Sequence, residues 1–128
     1  MAFIKEAMTD VNEPKAAPEG EYDLRIVKAK EQDAKSGRAM VVATIVIETP
    51  EADAPPFMHY LLAPHETDDE DQVRNRLLEV KRFCALFDVP EDFDAPDLVG
   101  KTAVGYLKQE TGDDGVVRNR LVPPRLRD

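Results

Sequence analysis

Residues 21–48 read EYDLRIVKAKEQDAKSGRAMVVATIVIE, two β-rich runs hinged at Ser36-Gly37. In the first run Tyr22, Leu24 and Ile26 share a face by two-residue alternation, which predicts a strand over residues 21–30. Gly37 supplies the backbone freedom that the turn demands. The second run, residues 39–48, is apolar on both faces: Met40, Val42 and Val46 on one, Val41, Ala43, Ile45 and Ile47 on the other. A strand covered on both sides is central in its sheet or bent around a barrel. Lys28, Lys30, Lys35 and Arg38 crowd the turn, a concentration of positive charge in a chain of formal net charge −9.

Beyond this pair, PEADAPP at residues 50–56 carries three prolines and cannot sustain a ladder, so it reads as a loop before a third strand at 57–62. Residues 63–71 form an acidic connection that ends in a helix start. Asp68 or Asp69 can cap it, and the acids of DDED suit the positive end of a helix dipole. The helix should run to residue 87 with Val73, Leu77, Val80 (or Leu78), Cys84 and Phe87 on its apolar side, and Arg74, Arg76, Lys81 and Arg82 largely elsewhere. VPEDFDAPDLVGK is an irregular link to a fourth strand at 101–109. TGDDG then turns the chain into a fifth strand at 116–122, which Pro123-Pro124 ends. In the fourth strand Ala103, Gly105 and Leu107 suit a tight interior, which turns Val104, Tyr106 and Lys108 outward.

Three strands, a helix and a closing hairpin make a mainly β chain with the element order of the OB-fold. That fold is a five-stranded Greek-key barrel with one α-helix between strands 3 and 4. Residues 1–18 read as an N-terminal arm in which Phe3, Ile4, Ala7 and Met8 fall at helical spacing, a candidate contact for a homo-oligomer. Residues 19–128 read as the OB-fold domain with a short basic C-terminal tail.

The 128 residues suit one domain with a modest core, and 42% hydrophobic content argues against wholesale disorder. The longest apolar run is far too short to span a bilayer and no signal-peptide core follows Lys5, so no membrane partner is expected. A single cysteine, Cys84, excludes an intrachain disulfide and fits a reducing cytoplasm. With only His59 and His65 beside it, no zinc set is specified, and no cofactor is expected. No phosphate-binding glycine loop, GxSxG or Cys–His pairing with a third member is present, so the chain reads as a non-enzyme. Cys84 reads as a buried structural thiol, and both histidines as surface or polar-contact residues.

The charge is segregated. Residues 25–45 carry five Lys or Arg against two acids, and residues 99–128 carry six against four. Residues 48–72 carry eight acids and no base. A low overall charge does not forbid a local basic face, because screening limits its reach to about 8–10 Å at physiological salt. OB-folds hold single strands with a cationic groove and aromatic platforms. The candidates here are Lys28, Lys30, Lys35 and Arg38 on the first hairpin and Lys108, Arg118 and Arg120 on the last, with Arg125 and Arg127 in the tail. Tyr60 and Tyr106 are the candidate base platforms, with His59 or Phe57 behind them.

On G-x-Y at the first strand, K-S-G-R after it, L-V-G-K before the fourth strand, and D-G followed by R-N-R, residues 18–123 resemble a family of small phage OB-fold proteins. These bind single-stranded DNA during phage replication or recombination. The resemblance implies sequence-tolerant binding through Lys28, Lys35, Arg38, Tyr60, Tyr106, Lys108, Arg118 and Arg120, in the cytoplasm of a host cell. It also implies contact with replication or recombination proteins. Two departures stand out: the chain ends PPRLRD where many single-strand binders carry an acidic tail, and it has eight aromatics in all and no tryptophan. The alternative is an OB-like protein-interaction module, a phage accessory or host-factor inhibitor that uses the acids of residues 48–72.

Overall fold

The structure is a computed structural model that describes residues 15–49 and 54–126. The predicted helical turn at residues 3–8, the proposed oligomer contact, the start of the PEADAPP loop and Arg127 lie outside the described residues. The element order is β1 (Gly20–Asp33), β2 (Ala39–Ile47), β3 (Phe57–Leu62), α1 (Glu70–Phe87), a 3-10 turn (Ala95–Leu98), β4 (Thr102–Thr111) and β5 (Val117–Val122). All neighbours are antiparallel in one sheet of order β3-β2-β1-β4-β5. The two outer strands, β3 and β5, then approach one another and nearly close the sheet into a barrel. Five strands in this order, with one helix between β3 and β4, make the OB-fold expected from the sequence.

β1 is long enough to serve two neighbours because it bends. Its first half pairs with β4 from Gly20 to Arg25, and its ladder with β2 runs from Leu24 to Asp33, broken between Ile26 and Lys28. At this bulge the N–H of Ile26 donates to the carbonyl of Lys101 at 2.9 Å, and the N–H of Gly100 donates back to Ile26 at 2.7 Å. The extra residue, Val27, also reverses the phase of the alternation. Leu24 and Ile26 point into the barrel before it, and Ala29 packs inward after it. Lys28 and Lys30 are turned outward as a result.

The core joins Leu24 and Ile26 of β1 to Ala43 and Ile45 of β2, Phe57 and Leu61 of β3, Leu107 of β4 and Leu121 of β5. Gly105 makes the close packing of β4 possible: a Cβ there would stand 2.8 Å from Leu24 Cδ1 and 3.0 Å from Leu121 Cδ1. Asp69 caps α1 in a reciprocal box, its Oδ1 accepting from the N–H of Gln72 at 2.8 Å while the Gln72 side chain accepts from the N–H of Asp69 at 2.9 Å. The helix closes the barrel with Phe83, Cys84 and Phe87, and Val80 and Leu86 pack beside them. Phe83 rather than Leu77 completes this face; Leu77 lies exposed. The buried cysteine matches the structural reading, and burial raises its thiol pKa.

Residues 15–18 of the arm are fixed at their C-terminal end. Ala17 is buried, and the inward-facing amide of Asn119 both accepts from its N–H and donates to its carbonyl, each at 2.9 Å. Gln109 donates to the same carbonyl at 3.0 Å. Asn119 thereby satisfies a backbone pair that no strand reaches.

Candidate nucleic-acid interface

The outer surface of the barrel changes character at the β1 bulge. Before it, β1 turns Glu21, Asp23 and Arg25 outward beside β4, and Arg25 is bonded to Glu48. After it, Lys28 lies opposite Thr44 of β2, which lies opposite Met58 of β3. One pleat further on, Lys30, Val42 and Tyr60 form a parallel row. Alternation places all six side chains on the outer face, and neither row contains a carboxylate. Tyr60 is half exposed, and its hydroxyl approaches Met58 Sδ at 3.5 Å. A flat surface of one phenol ring and two thioether or aliphatic side chains, edged by two lysines, can take the face of a base and the phosphate beside it.

β5 extends this surface on the other side of β3. Arg118 and Arg120 point outward and line the groove between β3 and β5 together with Met58 and Tyr60. Arg118 forks onto Asp114 at 2.7 and 3.2 Å, which raises the guanidinium pKa and holds the Asp114 carboxyl down to about 2. Arg120 stands 4.0 Å from Glu110 and opposite Lys108 in the β4–β5 register.

Two of the sequence candidates have other surroundings. Arg38 does not present a free guanidinium at the first hairpin. It forks onto Asp68 at 2.8 and 2.9 Å and donates to the carbonyl of Ala63 at 3.3 Å, with 12% and 6% of the two side chains exposed. Asp68, one of the two possible helix caps, therefore clamps the first hairpin to the β3–α1 connection while Asp69 does the capping. Its pKa is lowered by Arg38 first and then by the N–H of His65. Tyr106 is outward as expected, but it lies opposite Glu21 on one side and Val122 on the other, separated from Tyr60 by β5. Lys35 stands exposed at the loop tip.

His59 departs from the surface reading. Odd-numbered positions of β3 face α1, so its ring stacks on Phe83 at 5.2 Å between centroids and 5° between planes. Burial, then the positive charge of Arg120, lowers its pKa to about 4 and keeps the ring neutral. Met58 and Val42 were not singled out by sequence reasoning, although alternation with Phe57, His59 and Leu61 places Met58 on the same face as Tyr60.

Among the described residues no group of three or more His, Cys, Asp or Glu stands ready to hold a metal ion, and no helix is long and apolar enough to cross a membrane. Compared with known proteins, the chain matches no family model, and no curated protein aligns with it.

Proposed function

We propose that this chain binds single-stranded DNA without reading its sequence. The observation that supports the reading is the pair of carboxylate-free rows on the outer face beyond the β1 bulge, where Lys28 and Lys30 flank Val42, Met58 and Tyr60. Lysine captures the phosphate backbone, and the Tyr60 ring stacks on a base, a contact worth about 1–3 kcal/mol and open to every base. Arg118 and Arg120 continue the cationic track beyond β3. The resemblance to phage single-strand binders is the ground for proposing a role in phage replication or recombination in the host cytoplasm.

The test is titration of labelled oligo-dT and of a duplex of equal length at two salt concentrations. Tighter binding of the single strand is expected, with log affinity falling by roughly 0.7 per phosphate contact for each tenfold rise in salt. Equal affinity for the duplex, or indifference to salt, sinks the reading. Charge reversal at Lys30 should weaken binding more than reversal at Arg76 on α1, and equal effects would move the site elsewhere. A stoichiometric protein partner, captured with no shift of either oligonucleotide, would favour the protein-interaction module instead.

A further inference from the structure

β3 and β5 are adjacent across the near-closure of the barrel yet share no ladder among the described residues. The space between them is a groove of about 590 Å³, within the roughly 300–1,000 Å³ typical of small-ligand sites. Its walls combine a neutral aromatic surface with arginines from two elements. His59, braced on Phe83, and Tyr60 belong to β3, Arg118 and Arg120 to β5, and Arg82 enters from α1. Glu79 and Glu110 also line the groove, but both are exposed and each stands 4.0 Å from an arginine, Glu79 from Arg76 and Glu110 from Arg120.

Arg82 is the unusual member. Its Nε is buried and has no hydrogen-bond partner among the described residues. A buried charged donor left without an acceptor is costly, and most such donors in folded proteins are satisfied. Arg82 thus brings to the wall of the groove a guanidinium group with one unsatisfied N–H, alongside the planar ring of His59. Phosphate oxygens accept strongly from guanidinium groups, and a base matches an aromatic wall.

We propose that the groove between β3 and β5 receives one nucleotide, with its phosphate accepting from Arg82 and its base lying beside His59 and Tyr60. Resting on the single-strand reading above, it makes this nucleotide one that leaves the path along β1–β3 and enters the barrel seam. A base paired within a duplex is not free to do so, which adds selectivity for single strands.

The experiment is NMR on the isotope-labelled full chain, following the Arg82 Nε–H signal, the His59 ring and the backbone amides of Lys30 and Tyr60. Thymidine 5′-monophosphate, oligo-dT and inorganic phosphate are titrated separately. Both nucleotide ligands should move Arg82 and His59 together. Arg82→Gln should weaken the monophosphate about tenfold, whereas Lys81→Gln leaves it unchanged. Oligo-dT that moves Lys30 and Tyr60 but leaves Arg82 and His59 still would overturn the nucleotide site and keep the single-strand reading. Monophosphate binding at Arg82 and His59 without any oligonucleotide response would do the reverse. A response of Arg82 to phosphate as strong as to the monophosphate, with His59 unmoved, reduces the groove to an anion site and overturns the proposal, as does no response to any ligand.

Discussion

The loop joining β1 to β2 and the loop joining β4 to β5 share a backbone plan. In each, a first residue donates to the carbonyl four positions on (Ala34 to Arg38 at 2.8 Å, Gly112 to Val116 at 2.9 Å). The same residue accepts, at 2.9 Å in both, from a glycine three positions on whose φ is near +80° (Gly37 at 84°, Gly115 at 79°). Each loop also has an arginine forked onto an aspartate. The first pair, Arg38–Asp68, joins residues thirty positions apart and is 12% and 6% exposed. The second, Arg118–Asp114, is local and 53% exposed at both ends. The same chemistry therefore does different work. Away from water the fork is held against the fold, and breaking it strands a charge; in water the fork exchanges readily for another anion.

The sharpest way to break this comparison is to remove each arginine in turn. Arg38→Ala should lower the Tm by about 10 °C, because Asp68 is left with an unpaired charge. Arg118→Ala should move it by no more than about 2 °C. Equal shifts in a thermal melt would show that the two pairs are energetically alike.

Acid probes the same contrast from the histidine beside the second hairpin. His59 titrates near 6.5 when unfolded and at about 4 when folded, so between those values the unfolded chain binds more protons. Its contribution is complete above pH 6.5 and is lost as pH falls to about 4, roughly 3 kcal/mol in all. Urea unfolding across this window should show the slope, and His59→Phe should flatten it; an unchanged slope would mean that the ring is hydrated in the folded state. Below this window the carboxylates act. Asp68 and Asp114 both have lowered pKa values, so both pairs stabilise above the ordinary aspartate range and weaken as pH falls through the lowered values, about 2 for Asp114.

Ligand binding should separate the two tyrosines in a smaller way. Tyr60→Ala is expected to weaken oligo-dT by about 1–3 kcal/mol. Tyr106→Ala, beside Glu21 and across β5 from Tyr60, should have the lesser effect in the same titration. Equal losses would extend the platform around β5 to β4. Within the core, Gly105→Ala should destabilise by about 1–2 kcal/mol through overpacking against Leu24 and Leu121, with oligo-dT affinity retained in the folded fraction.

Much of the architecture was legible because it depends on neighbours in sequence. Alternation in 21–26, 39–48 and 101–109 set which residues of each strand share a face, glycine marked both turns, and the acidic run before Gln72 marked the helix start. From these the order of an OB-fold followed, and β3 matched its predicted bounds at Phe57–Leu62. The bulge at Val27 was not legible, since nothing local says that β1 must leave β4 for β2 there; closure of the barrel imposes it.

The site divides along the same line. Sequence alone placed Lys28, Lys30, Tyr60, Arg118 and Arg120 on strands and concentrated charge around the hairpins. Only the tertiary structure decided which of those charges face the same surface. It committed Arg38 to Asp68, turned His59 inward onto Phe83, separated Tyr106 from Tyr60 by a strand and opened a groove beside Arg82. The reason is physical: alternation and turn propensity act over a few residues, whereas a charge's partner is chosen by whatever the closed barrel brings within hydrogen-bond reach.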